Sequence, residues 1–452
     1  MSLLRKAFVL LLLFLLILPL SSGFAAPTAP APVLQQAAEV PQIRVGLWVN
    51  QPSVVLSADV KFAVVDNDTG AVLVQLGPKE KLVAAAADKL ILNGRSQTAK
   101  SVSLVVEDSK SFIEVNKRHY RGTIELMAAK KGLTVINRLP VEEYVYGIIG
   151  KEISPYWPME AIKAQAVASR SYALANLNKH AQQGFDVCAT TDCQVYGGVD
   201  DENLKTNRAI DETAGMVLTY QGKVIPGYFH SSGGGYTENS ENVWASYLPY
   251  LRGVADFDQT NPNYSWEKQF SAAELQSLLE RAGYAIGKLE AVELSALTPP
   301  PVRNSLDRGI SGRVNEMMFI GSKGSVTLPG TKVRSLLSLK STLFDISVIV
   351  PANKTLQVEI TDSYGDHETK EIPVNLPPNK QKGFLLDRDS IRHISGTGQE
   401  QIVFSGFGSG HGLGMSQWGA KAMAEKAPAG SSEYFKTILK HYYQGIEIKK
   451  LY

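Results

Sequence analysis

The sequence predicts an α+β fold, with mixed sheets and helices around a groove. Three observations carry this. Alternating apolar residues recur from Ile43 onward, with the period of half-buried strands. After Pro158, Ile162, Ala166, Arg170, Ala173 and Leu177 fall three or four apart and share one helix face. Strands and helices do not alternate regularly, which argues against a doubly wound parallel sheet.

Taken in order, the chain begins with Arg5 and Lys6, an apolar run Ala7–Leu20 and a small-residue end at Gly23-Phe24-Ala25. Residues 1–25 read as a cleaved signal peptide, with an uncleaved membrane anchor as the alternative. Either places the folded part outside the cytoplasm, at the cell wall or the outer face of the membrane. Residues 26–41, rich in Ala and Pro, read as a linker. Residues 42–130 read as a β-rich region. Ile43, Val45, Leu47 and Val49 alternate, as do Val72 and Val74, then Val102, Leu104 and Val106, then Ile113 and Val115. Turn residues at Asp66–Gly70 and Asn93-Gly94 separate them.

Residues 131–452 read as a second, larger domain with an insertion at about 345–400. Leu133–Ile136 is a short strand, 140–149 a helix, and a long helix starts at Pro158, where proline sacrifices no bonded N–H. Strands are expected within 213–224, 289–297, 314–326, 343–360 and 370–374, and helices at 272–282, 415–426 and 434–443.

The chain has 452 residues, 44% of them hydrophobic, ample for one large core or about three domains. A net charge of +2 gives no electrostatic argument for nucleic acid.

Glu152 is the first candidate for chemistry. It sits among Ile148, Ile149 and Ile153, with Tyr156 and Trp157 nearby. Apolar surroundings raise a carboxyl's pKa towards that of a working general acid. The competing reading is a solvated glutamate paired with Lys151. Glu160 is a rival acid, but its place in the first helical turn has a structural explanation in the helix dipole. On the long helix, Lys163, Gln165 and Arg170 stand among alanines at 161, 164, 166, 168 and 173. So many small residues imply close approach to the helix backbone. Arg170 lies in the packed stripe, so it needs an acidic partner or a substrate group.

The loop His230-Ser231-Ser232-Gly-Gly-Gly-Tyr236 admits a nucleophile reading, but reads better as a groove wall with Tyr236 stacking on a ring. A second glycine-dense loop, 406–419, carries His411 and Gln417 and reads as a binding rim, or as a tight turn with Ser416 capping a helix. The chain's two cysteines, Cys188 and Cys193, suit a small-loop disulfide or, with His180 or Asp192, a zinc site.

Several of these runs, in the same order, resemble the stage II sporulation protein D family (SpoIID/LytB). They are Glu152, Glu160–Tyr172, Cys193–Gly197, the His230 loop, Val243-Trp244 and Gly410–Ala420. The resemblance implies a peptidoglycan lytic transglycosylase. Glu152 would be its catalytic acid and base, with Lys163 and Arg170 in support. It implies glycan strands as the partner, preferably free of stem peptides, and no required cofactor. Some relatives hold zinc near the cysteine pair. Others lack the pair, and a His often precedes the second cysteine where this chain has Asp192, which weakens the zinc reading. The LytB side of the family suggests an alternative, a non-catalytic wall-binding module or an enhancer of a cell-wall amidase. Zinc hydrolase chemistry through the cysteines is a third, weaker reading.

Overall fold

The computed structural model describes residues 39–452 apart from 109, 304, 351–352, 362–366, 376–378, 382–389 and 395–399. The signal segment and nearly all of the linker lie outside the described residues, as does part of the expected insertion.

The fold is α+β. The alternating segments near the N-terminus form two sheets. In the first, seven strands run in the order 187–188, 42–51, 132–140, 123–129, 101–106, 62–66, 72–76. In the second, six run in the order 118–120, 113–115, 53–58, 82–86, 90–92, 95–96. Their inward residues, among them Ile43, Val45, Leu56, Val64, Leu82, Val102 and Leu104, are almost fully buried in one core. The expected boundary at residue 130 falls in the hairpin between strands 123–129 and 132–140. Strand 42–51 also pairs with 132–140. Residues on both sides of that boundary therefore share a sheet and a core, which continues through Ile148, Ile162 and Ile210.

Eight helices occur among the described residues: α1 Val141–Glu152, α2 Met159–Ala175, α3 Leu204–Glu212, α4 Ser240–Trp244, α5 Ala272–Arg281, α6 Gly330–Leu336, α7 Gln417–Glu425 and α8 Tyr434–Tyr442. Helix α1 runs three residues past its expected end, so Glu152 is its last residue. The α2 helix is buried from Glu160 to Ala173. Its Ile162–Ala166–Ala173 face joins the sheet core, and Ala161, Ala164, Val167 and Ala168 pack into another formed with α7 and α8. The close approach its alanines implied is made by the chain itself: a Cβ on Gly227 would lie 2.5 Å from the Ala168 carbonyl oxygen.

The rest forms two four-stranded sheets, ordered 265–271, 401–407, 344–350, 379–381 and 324–329, 316–321, 289–293, 391–393. They share a third core around Phe319, Phe344 and Phe404. Strands 379–381 and 391–393, within the expected insertion, belong to these two sheets. Two pairings bring distant segments to α2. Strand 447–450 pairs with 216–220, and 229–230 pairs in parallel with 415–416. The latter sets the His230 loop beside the start of α7.

Candidate active site

Helix α1 ends because Ile153 turns extended, its N–H still bonded to the Ile149 carbonyl. This leaves Glu152 at the negative end of a helix dipole, a poor place for a carboxylate. Lys151 does not neutralise it, pairing instead with Asp201 at 2.8 Å. The side chain of Glu152 meets Gln417, whose Nε2 donates to Oε2 at 3.2 Å. Burial pushes the Glu152 carboxyl above the usual range, and the Gln417 bond opposes this in part.

Glu152 lines a cleft of about 560 Å³. One wall is aromatic: Tyr172, Tyr228 and Trp244 in a chain of edge contacts at 5.8 and 4.5 Å, then His411 at 5.2 Å from Trp244. The other wall comes from Asn176 and Lys179 beyond α2 and from residues 191–195. Asp192, the second carboxylate on the cleft, is held by Lys179 and His180, each at 3.1 Å. The Lys179 hydrogen bond and charge foremost keep it below its ordinary range. The two cleft carboxylates are thus driven apart, one towards the acid form and one towards the anion.

The glycine-dense loop 406–419 delivers two of these groups. Its backbone takes positive φ at Gly408, Gly410, Gly412 and Gly414. A Cβ on Gly412 would fall 2.2 Å from Nε of the buried Arg313. His411 accepts from the Leu413 N–H at Nδ1 (3.0 Å), and burial lowers its pKa to about 4, so it stays neutral. Ser416 accepts from Gly419 N–H at 3.1 Å and caps α7, fixing Gln417 in the first turn. The rim and the capped-turn readings both describe this loop.

The His230 loop departs from expectation. His230 is buried and bonds the Leu413 carbonyl oxygen through Nδ1 at 3.0 Å, while the buried Ser232 hydroxyl donates to Asp258. Gly233, Gly234 and Gly235 donate to Asp256 and Asp258 at 2.8–3.0 Å. His230 and Ser232 are therefore each bound to something else and form no nucleophile relay with one another. The Ser231 backbone carbonyl accepts from the Trp418 N–H at 3.1 Å, and Tyr236 bridges to Ala255. None of His230, Ser231, Ser232 and Tyr236 lines the cleft; its wall here is Tyr228 and Phe229.

Lys163, Gln165 and Arg170 also stand away from the cleft, against the expectation of direct substrate support. Arg170 is fully buried and clamps Glu142 at 2.6–3.1 Å, also donating to the Met216 and Ile210 carbonyls. Its acidic partner is thus Glu142, at the start of α1, rather than a substrate group. Lys163 pairs with Glu212 (2.8 Å) and Glu160 (3.2 Å). Gln165 donates to Ser169 at 3.1 Å. Glu160 accepts from the Phe435 N–H at 2.9 Å, tying α2 to α8, so the rival acid is structural.

Cys188 and Cys193 face each other with Sγ atoms 3.1 Å apart. His180 Nε2 lies 3.3 Å from the Cys193 sulfur, and Asp192 Oδ2 3.9 Å from both sulfurs. One ligand atom from each of the four falls within 4.8 Å of the others. Two thiols, an imidazole and a carboxylate are a zinc-type donor set, so these residues fit the ion. Asp192, in place of the histidine found in some relatives, supplies the fourth donor atom of this set.

The family model described as Stage II sporulation protein matches residues 129–220, and one for a domain of unknown function matches 239–363. Stage II sporulation protein D of Bacillus subtilis is 27% identical, covering 78% of this chain and 89% of that protein. Residues 129–220 thus carry a stage II sporulation protein domain, and relatives named stage II sporulation protein D align over most of the chain. An uncharacterized protein of Brachyspira hyodysenteriae is similar to this chain at 29% identity over 76% of each chain. A Bacillus subtilis protein named amidase enhancer is 30% identical over 66% of this chain, a match spanning 39% of that relative's length. Sequence reasoning missed Tyr228, Trp244 and Lys179 as cleft residues. Trp244 belongs to the Val243-Trp244 run, but its place on the wall comes from contacts with Tyr228 and His411, the latter 167 positions on, that no spacing reveals.

Proposed function

We propose that this protein is a member of the stage II sporulation protein D family and a peptidoglycan lytic transglycosylase acting on the outer side of the membrane. The observation that carries the reading is Glu152: a half-buried carboxyl with no cation beside it among the described residues, held by one amide, in a cleft with an aromatic wall. Protonated Glu152 donates to the oxygen between N-acetylmuramic acid and N-acetylglucosamine, and that bond breaks as an oxocarbenium-like centre forms at C1. The resulting carboxylate takes the proton of the C6 hydroxyl, whose oxygen bonds to C1 and closes a 1,6-anhydro ring. Neutral His411 and the aromatic rings exclude water and cradle the sugars without adding charge. Asp192, committed to Lys179 and His180, is not free to activate water. The apolar segment Ala7–Leu20 supports export. The test is mass spectrometry of peptide-free glycan strands after incubation: 1,6-anhydro ends support the reading, and intact strands oppose it.

Acid catalysis requires protonated Glu152, so activity falls as pH rises through its elevated pKa. The Gln417 bond favours the ionised form; Gln417→Ala removes it and raises the pKa further. The alkaline limb of the pH–rate profile should therefore move to higher pH, and a shift to lower pH would contradict this assignment.

A second reading has specific support. The relative named amidase enhancer suggests a binding role that aids a cell-wall amidase. That role tolerates Glu152→Gln, whereas the enzyme does not.

We also propose that His180, Cys188, Asp192 and Cys193 hold zinc as a structural ion. Bound there, the ion would staple residues 188–193, part of the cleft wall, and leave no open coordination position. Elemental analysis should find about one zinc per chain, and Cys193→Ser should remove it and lower Tm. Metal-free protein with both thiols unreactive would indicate the disulfide instead.

A further inference from the structure

Tyr156 is 92% exposed, yet it stands four residues beyond Glu152. An aromatic ring so placed contributes almost nothing to folding. Its backbone N–H bonds Ser154 Oγ at 3.2 Å, and the Trp157 N–H bonds the Ser154 carbonyl at 3.1 Å, so a tight turn presents it. Lys205 pins the same turn through the Trp157 carbonyl at 2.8 Å. The Trp157 ring meets Trp418 edge-on at 5.1 Å. Trp418 follows Gln417, the residue bonded to Glu152. Two separate segments thus bring the Trp157 and Trp418 rings together, with Lys421 Nζ 5.2 Å from the Trp418 ring centre and the exposed Tyr156 next to Trp157 in the chain, and none of these rings lines the cleft cavity.

We infer that Tyr156, Trp157 and Trp418 form a second sugar platform, which binds the glycan strand next to Glu152 and outside the Tyr228–Trp244 cleft. This rests on the glycan-cleft reading above. A bond cut within a polymer has sugars on both sides, and the cleft wall accounts for one. Pyranose rings present C–H faces that pack on aromatic surfaces, and exposed Tyr and Trp pair an apolar face with a polar tip suited to a wet site. Four residues of chain span at most about 14 Å, so Tyr156 lies within reach of sugars next to the scissile bond. The platform makes this protein selective for long strands.

The test measures binding, so it does not depend on turnover. In a Glu152→Gln background, calorimetry would compare a tetrasaccharide with a long peptide-free glycan strand. Tyr156→Ala and Trp418→Ala should each raise Kd for the long strand about tenfold and leave the tetrasaccharide unchanged. Tyr156→Phe, which keeps the ring, should restore most of the long-strand affinity. Equal losses on both ligands, or none on the long strand, would overturn the platform while leaving the cleft reading intact. A Glu152→Gln parent that binds neither ligand would overturn both.

Discussion

Glu152→Gln should lower glycan cleavage by roughly a hundredfold to ten-thousandfold, the usual worth of a positioned acid–base group. Affinity for uncleaved glycan should change little. The amide keeps the shape of the side chain and its contact with Gln417, so the cleft stays formed. What disappears is a transferable proton. The loss should sit at the upper end of the range, since in the proposed mechanism one carboxyl serves both bond breaking and ring closure. Single-turnover cleavage beside binding isotherms would separate the two effects. A variant that cleaves normally would remove Glu152 from the chemistry.

Arg170→Ala should destabilise the protein by about 3–5 kcal/mol, the cost of stranding a buried ionic partner. Arg170 is fully buried, and Glu142 also accepts from the Gly215 N–H (2.9 Å) and the Tyr452 hydroxyl (2.7 Å). Removing the guanidinium leaves that carboxylate without its cation and takes a donor from the Met216 carbonyl, whereas the Ile210 carbonyl still accepts from Thr213. The clamp joins α2 to the first turn of α1, whose last residue is Glu152. Arg170 therefore acts on the acid through a helix and touches no substrate. Urea unfolding should show the loss, whereas cleavage per folded molecule at low temperature should stay near normal. A large fall in turnover by fully folded protein would point instead to direct contact with the glycan.

The α+β class and the order of elements were legible because period-2 and period-3.6 patterns reflect local burial. Glu152 was legible for the same reason: isoleucines flank it, and burial is what raises its pKa. Sequence could not show that Glu142, 28 residues before Arg170, closes the guanidinium's bonds. Nor could it show that His230 turns inward to the Leu413 carbonyl, a contact 183 residues away in the chain. Polar residues near glycines look alike whether they face a ligand or a distant loop. Asp192 gives the same lesson: it seemed a lost zinc ligand by comparison with histidine, yet its carboxylate lies beside both sulfurs.

Intramolecular ring closure at Glu152 consumes no water. Digesting peptide-free glycan in water enriched in oxygen-18 and weighing the new ends shows whether water enters. The proposed mechanism gives ends lighter by one water than hydrolysis products and carrying no heavy oxygen. Reducing ends that incorporate oxygen-18 would show water as the nucleophile and contradict it.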